Sequence, residues 1–435
     1  MQIEVFNVIN YNNEYKVRLI DEKVERYLKI FGAISIEGPK WCGKTRTAEM
    51  HANSAVYLDN SAENFDSRNK AKMDVSLILN ETPPELIDEW GEVPEIWDAV
   101  RHNCDKDEQK GKYILTESTT LRKKEDEEKI HHSGAGRIDK MKMYSMSLYE
   151  SGESSGKASI MDMFNGTQKN CNDKKYSYEE IAYLIVRGGW PGNLNIPNKS
   201  EHILPRSYLK ALLDTDINKD GVERDKNKME MLLKSLARNE STVCTNKKII
   251  SDMMEDSNDY IKTNTTVSDY LNVLDKLNIL SNDPAYSSNV RSSTSIGKNP
   301  KRHFVDPSLA CAILGITKEK LMNDTLTYGF MFESLVERDL RIYMDYLDGK
   351  LYHYRDNKTG HKVDAVVELP DGEYGIIEIK LSSNGIEDAK KSLNKFESLA
   401  TKKPKFKCII VGLWDAIVKD PETNTYIVPI TSLKP

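Results

Sequence analysis

Gly38-Pro39-Lys40-Trp41-Cys42-Gly43-Lys44-Thr45 fits the pattern G-x-x-x-x-G-K-[ST], and the rest of the chain reads outward from it. It follows the apolar run Ala33-Ile34-Ser35-Ile36 and opens a helix-compatible segment at 46–52, so the local order is strand, loop, helix. Glycines at 38 and 43 let the backbone turn so that successive N–H groups point inward, and the positive end of the following helix adds to the anion site. In such a cradle Lys44 reaches the β- and γ-phosphates of a nucleotide and Thr45 holds Mg²⁺.

Downstream, Ala55-Val56-Tyr57-Leu58 reads as a second strand, and Pro83-Pro84-Glu85-Leu86-Ile87-Asp88-Glu89 carries apolar residues directly onto two acids. An Asp-Glu pair beside Leu-Ile is by itself equally a solvated helix start. The phosphate loop upstream selects the other reading, in which Asp88 organises the Mg²⁺ shell and Glu89 polarises the attacking water. A further strand at 112–115 ends in Thr116-Glu117-Ser118, where either Thr116 or Ser118 would sense the γ-phosphate. Before the first strand, Leu19, Val24, Tyr27, Leu28 and Phe31 are spaced as one face of a packing helix.

At 435 residues the chain has room for two to four domains, each able to bury a core without disulfides. Its net charge of −6, with 30% of residues charged, gives no overall field for nucleic acid, so any such contact must be local. The six cysteines (42, 104, 171, 244, 311, 408) stand singly, which argues against a zinc ribbon or a disulfide framework and for reduced thiols. The N-terminus lacks the apolar core of a signal peptide, and no stretch approaches ~18 uninterrupted apolar residues. A cytoplasmic protein without a membrane partner is expected.

PELIDEWGEVPEIWDAVR, YILTES, SGAGRI, MSLYESGESSG and RGGWPGNL follow one another along the chain. In that order they resemble the signatures of the prokaryotic AAA-type ATPases whose C-terminal half is the domain of unknown function DUF4143. The resemblance implies ATP and Mg²⁺ as cofactors and nucleotide hydrolysis as the activity. One departure stands out: Leu115-Thr116-Glu117-Ser118 replaces the usual LTGS, placing an acid where the family has glycine. Arg137, in Ser133-Gly134-Ala135-Gly136-Arg137, is the first candidate for an arginine finger or phosphate sensor, with Arg122 and Arg187 as competitors. Residues 150–175 read as a loop or insertion, and 176–224 as a helical lid that turns at 188–192.

Segments 229–238, 246–254 and 266–277 have helical apolar spacing and precede an apparent β-wing at 279–305, a winged-helix-like arrangement. The third helix, with Asp269 and Asp275 against Lys276, matches DNA phosphates poorly. Basic residues gather instead in the wing at Arg291, Lys298, Lys301 and Arg302, so a DNA reader and a purely structural domain both remain open. From 327 onward the order is helix, three strands, helix, strand, which looks like the PD-(D/E)xK nuclease core. Asp364 lies in the second strand. Glu378 and Lys380, two apart in the third strand, share one face. On that likeness Glu333, Asp364 and Glu378 hold a metal ion, with Glu337 as a fallback, and Lys380 activates water or steadies the phosphate.

The expected architecture is therefore α/β: a P-loop AAA-type ATPase core at 1–175, a helical lid at 176–224, a winged-helix-like domain at 225–308 and a nuclease-like α/β domain at 309–435. The expected function is a Mg²⁺-dependent ATPase whose C-terminal domain cuts or holds DNA, with a homo-oligomer and a monomer both left open. The alternative is a nucleotide-gated switch or DNA-binding regulator whose nuclease-like domain serves as an interaction surface.

Overall fold

The computed structural model describes residues 15–107, 109–197, 199–254, 261–287, 298–356 and 359–435. Five strands, β1 (Ala33–Glu37), β2 (Ser54–Tyr57), β3 (Glu85–Asp88), β4 (Tyr113–Glu117) and β5 (Ile138–Lys142), form an all-parallel sheet in the order β2-β3-β4-β1-β5. Parallel strands are buried on both faces, which is why they read as near-continuous apolar runs. The period of two is visible in where the side chains go. Ala33, Ile87, Leu115 and Ile138 pack with Trp90, Trp97 and Val100 on one face. Ile34, Ile36, Leu86, Ile114 and Met141 pack on the other with Ile20, Val24 and Ala48. Helices Leu19–Leu28 and Lys44–His51 supply that second face, and Glu95–Asp107 covers the first.

The segment expected to be an insertion in the ATPase core belongs elsewhere. Its strand β6 (Ala158–Ser159) pairs in parallel with β16 (Leu433–Lys434), and β7 (Cys171–Asn172) joins β14 (Ala416–Asp420). Phe164 packs edge-on against Phe406, ring centroids 4.9 Å apart. Residues 154–173 thus strap the C-terminal domain, and the boundary near 175 is corrected: the ATPase fold ends before this strap begins.

Helices Lys226–Arg238, Asn246–Met254 and Asn264–Lys276 stand where the spacing puts them, with β8 (Thr242–Val243) antiparallel to β9 (Lys301–Arg302). Bridges Leu280↔Phe304 and Asp283↔Lys301 pair the two ends of the following segment in antiparallel fashion, and Arg291 lies outside the described residues. Two of the wing's expected DNA contacts are corrected. Lys301 is 5% exposed and turned into the C-terminal domain. Arg302 is half-buried, its guanidinium donating to the Cys244 carbonyl and Asn246 Oδ1.

The C-terminal domain is built on helix Thr325–Tyr346, apolar on most sides and buried along most of its length. It lies against the mixed sheet β10 (Lys350–Arg355), β11 (Lys362–Glu368), β12 (Tyr374–Lys380), β13 (Phe406–Val411), β14 and β15 (Thr425–Pro429), in the order β10-β11-β12-β13-β15-β14-β7. Helix Ile386–Leu399 covers the opposite face through Ile386, Ala389, Leu393 and Phe396. One apolar cluster runs from Ile20 in the first helix through the middle segment to Leu433, so the parts of the chain share a core. No helix among the described residues is long and apolar enough to cross a membrane.

Candidate functional site

Three strand ends converge at the carboxyl edge of the parallel sheet, where ligands of open α/β sheets bind. β1 feeds the loop 38–43, β3 ends at Asp88 and β4 ends at Glu117. Gly38 is required by packing: a Cβ there would come within 2.2 Å of the Met143 carbonyl oxygen. Gly43 adopts φ +104°, a left-handed conformation that turns the chain into helix Lys44–His51. Lys44 is buried and its Nζ donates to the Pro39 carbonyl at 3.0 Å, folded back over its own loop. Arg18 braces the loop from outside, donating to the Cys42 carbonyl at 2.7 Å and ion-pairing with Glu150 at 3.0 Å. Lys40 Nζ meets Asp216 at 2.6 Å and ties the loop to the end of helix Ile203–Thr215. Beside it, Trp41, Trp190, Leu204, Pro205 and Tyr208 line an apolar pocket of about 360 Å³.

The acid pair is held by the two hydroxyls that the sequence offered as sensors. Thr116 Oγ1 donates to Asp88 at 2.5 Å and accepts the Glu89 amide at 3.1 Å. Ser118 Oγ donates to Glu89 Oε2 at 3.1 Å. Glu89 sits at φ 54°, a left-handed conformation uncommon outside glycine and found where a site over-determines the backbone. Burial lifts the Asp88 pKa to about 6, against hydrogen bonds from Thr116 and Thr45 that lower it. A buried carboxylate with an adjacent threonine hydroxyl suits the shell of a hard divalent cation. Glu117, the departure from LTGS, pairs with Arg122, whose guanidinium lies 4.5 Å over the Trp90 ring. Burial still raises the Glu117 carboxyl to about 8. Glu89, Glu117 and Arg122 all line a cleft of about 820 Å³ whose walls do not include residues 38–45.

Arg137 does not face this chain's own phosphate loop. It precedes β5 at the amino edge of the sheet, beside Gly32 and Ala33, whereas the phosphate loop leaves the carboxyl edge. A five-residue strand separates the two, roughly 16 Å. Its side chain is spent on Asp105 at 2.6 Å and the Ala135 carbonyl. Arg187 is buried against Glu153 and does not face the loop either. Of the three arginines, Arg122 is the one on a cleft shared with Glu89.

In the C-terminal domain, Asp364 and Glu378 are brought together with Lys380, whose Nζ lies 3.2 Å from Asp364 and 2.7 Å from Glu378. Lys362 adds a second ammonium to Asp364 at 3.2 Å, the Ile379 amide donates to it at 3.0 Å, and Ser392 donates to Glu378 at 2.8 Å. Burial raises the Glu378 carboxyl to about 7, with Asp364 adding to the effect. Burial opposes the Asp364 charge, but Lys380, Lys362 and Lys301 outweigh it and hold this carboxyl far below the usual range. Glu333 and Glu337 face a residue that the sequence had assigned to the wing: Lys301 Nζ donates to both carboxylates and, at 3.3 Å, to the Asp364 carbonyl. The expected metal triad is therefore corrected. Glu333, Asp364 and Glu378 do not gather three ligand oxygens within 4.8 Å of one another. In this arrangement they do not fit a metal ion.

Sequence reasoning missed Arg18, Asp216 and Lys301 because each acts from an element that is locally unremarkable. It also missed the Arg338 cluster. Arg338 pairs with Asp306 at 3.1 Å and Asp339 at 2.7 Å, all three fully buried. Asp306 accepts Ser145 Oγ at 2.7 Å and the Gly189 amide at 3.0 Å, and Asp339 accepts the Leu148 amide at 3.0 Å. The cluster explains the Gly188-Gly189 pair, since a Cβ on Gly188 would come within 2.5 Å of Asp306 and one on Gly189 within 2.0 Å of the Met146 carbonyl.

Three family models match in succession: an AAA domain over residues 31–152, the domain of unknown function DUF8612 over 178–320, and DUF4143 over 328–433. No curated protein sequence matches the chain. Among solved structures, the chain is similar to a Walker-type ATPase of Pyrococcus abyssi at 12% identity and TM-score 0.37, over 68% of this chain and 94% of that one. It is similar to the Aeropyrum pernix ORC2 protein in its ADPNP–ADP complexes at 12% identity and TM-score 0.33, over 74% and 99%. A third likeness is to the replication initiator DnaA bound to AMPPCP and single-stranded DNA, at 15% identity and TM-score 0.29, over 62% and 91%. The chain thus carries an AAA domain around the phosphate loop and a DUF4143 domain in its last third, the arrangement of an AAA-type ATPase with a C-terminal DUF4143 domain.

Proposed function

We propose that the chain binds and hydrolyses ATP with Mg²⁺ and that its C-terminal domain is a non-catalytic partner of that cycle. The observation that carries the first half is the pairing of Asp88 and Glu89 with Thr116 and Ser118 at the edge from which the phosphate loop departs. Thr45 and Asp88 would hold Mg²⁺, which supplies charge neutralisation at the phosphates. Lys44 would leave the Pro39 carbonyl for the phosphate oxygens, and Glu89 would orient the attacking water. Trp41 and Tyr208, ring centroids 5.5 Å apart, offer the nucleobase an aromatic wall. The test is ATP turnover by the wild type against Lys44→Ala and Glu89→Gln; equal turnover in all three removes the assignment.

The second half rests on the lysines. Asp364, Glu378 and Glu333 are paired from within by Lys380, Lys362 and Lys301, so the domain is suited to a fixed surface better than to metal-dependent cleavage of DNA. Linear and circular DNA incubated with Mg²⁺ or Mn²⁺, with and without ATP, should remain intact. Cleavage that disappears in Asp364→Ala or Lys380→Ala would instead make the domain a nuclease. DNA binding and homo-oligomer formation belong to the same proposal as routes by which the ATP state is read out, checked by salt-dependent DNA affinity and by sedimentation with and without nucleotide.

A further inference from the structure

Behind Lys301, where the bridged middle segment meets helix Thr325–Tyr346, His303 faces two acids from separate elements. Its Nε2 lies 3.3 Å from Asp283 Oδ2 and 3.3 Å from Glu337 Oε2. His303 is 2% exposed, Asp283 3% and Glu337 1%, and Nε2 makes no hydrogen bond. Its other nitrogen, Nδ1, is 3.3 Å from Glu240 Oε1, a carboxylate oxygen that also accepts Ser334 Oγ at 2.7 Å. A neutral imidazole donates from one nitrogen and accepts at the other. With Glu240 taking the proton of Nδ1, Nε2 is left as an acceptor 3.3 Å from each of two buried acids, an arrangement that a cation between them would complete.

The flanking groups leave room for one. Arg341 takes Asp283 Oδ1 at 2.8 Å and Lys301 takes Glu337 Oε1, so Oδ2 and Oε2 stay turned toward the imidazole, the latter with Ser241 Oγ at 3.3 Å. Glu240, Asp283, Glu333 and Glu337 are four buried acids against two buried cations, Lys301 and Arg341. Two ligands about 2.0–2.1 Å from a tetrahedral ion stand about 3.3 Å apart, the separation His303 keeps from each acid. An imidazole in the set selects a transition ion of the Zn²⁺ or Mn²⁺ class over Mg²⁺ or Ca²⁺. The Glu240–Nδ1 contact is the outer-shell carboxylate that orients a metal-bound histidine.

We infer that Asp283, His303 and Glu337 form a buried structural site for a divalent transition metal that clamps the bridged middle segment to the DUF4143 helix. It is separate from the nucleotide Mg²⁺ and does not depend on the ATPase reading. The full chain, stripped with chelator and free of nucleotide, should take up one Zn²⁺ per chain and melt at a higher temperature. Co²⁺ should give visible ligand-field absorption that Zn²⁺ abolishes. His303→Gln and Asp283→Asn should weaken Zn²⁺ by more than the about 10–100-fold typical of an outer-shell partner, while Lys44→Ala binds it as the wild type does. Wild-type protein that takes up neither ion, or a folded His303→Gln that binds Zn²⁺ as tightly as wild type, overturns the site. Should the variants not fold, Mn²⁺ bound to wild type labelled with ¹⁵N-histidine decides: coupling to an imidazole nitrogen supports the site, and its absence removes it.

Discussion

Two regions of this molecule gather lysine and carboxylate in the pattern that phosphate chemistry uses, and they resolve their charges in opposite ways. At the phosphate loop, Lys44 bonds a backbone carbonyl while Asp88 and Glu89 are propped by hydroxyls, so neither acid is spent on a cation within hydrogen-bond reach. In the DUF4143 domain every comparable acid holds an ammonium: Lys380 on Glu378 and Asp364, Lys362 on Asp364, Lys301 on Glu333 and Glu337. On the proposed reading the first arrangement stays open to an incoming metal and anion, whereas in the second these acids are already held by lysines. Residue type and spacing do not separate the two. The partners do.

The largest effect should expose that asymmetry directly. Lys44→Ala or Glu89→Gln should lower ATP turnover by ~10²–10³-fold, in the range of losing a positioned electrostatic or acid–base group. Lys380→Ala and Asp364→Asn should leave turnover per folded molecule within about threefold, and Arg137→Ala within about twofold, as befits a side chain on the opposite edge of the sheet. Phosphate release under saturating ATP checks all five. A large loss in Lys380→Ala would mean that the second region takes part in the chemistry of the first.

Next in size is the hub between the regions. Arg338 joins the DUF4143 helix to Asp306, and through it to Ser145 and Gly189 beside the ATPase sheet. Arg338→Met leaves Asp306 and Asp339 buried without their cation, a change that costs about 3–5 kcal/mol. Urea unfolding followed by two probes measures it. Loss of a single shared transition would locate the coupling of the two halves in this cluster.

Lys301→Met tests the closed state of the second region. It sets Glu333 and Glu337 side by side without a counter-charge and should destabilise the fold by roughly 2–4 kcal/mol. Lys301→Met/Glu333→Gln should recover part of that, because the acids no longer oppose each other. An unchanged denaturation midpoint in Lys301→Met would show that Lys301 does not close the acid cluster.

Much of this was legible because local chemistry and tertiary role agree. The loop at 38–45 is a contiguous motif, and the helix–strand order of the last third follows from period-two and period-3.6 patterns in long elements. What escaped did so for physical reasons. Lys301 looks like any other base in a polar segment, and only the antiparallel bridge Asp283↔Lys301 turns it inward. Residues 154–173 look like a loop because their strands are two residues long and pair with chain more than 240 positions away. Arg137 follows a glycine-rich turn of the kind that often carries a finger, and strand direction puts that turn on the edge opposite this chain's own phosphate loop.

The smallest expected effect concerns Glu85, which opens β3 on the strand that delivers Asp88. It is 1% exposed, its Oε1 has no hydrogen-bond partner, and burial raises its pKa to about 7. Its folded value lies above the unfolded one, so the folded state binds the extra proton. The stability this provides is full below pH ~4.5 and is lost as pH rises through about 7. Between pH 5 and pH 7.5 the wild type should therefore lose about 2 kcal/mol that Glu85→Gln does not lose. The difference between the two proteins' unfolding curves isolates this group from the other buried carboxyls. A wild type and a Glu85→Gln variant with parallel pH profiles would mean that β3 is not dry at its first residue. Asp88, three residues along the same strand, would then titrate closer to an ordinary carboxylate, and the charge asymmetry between the two regions would narrow.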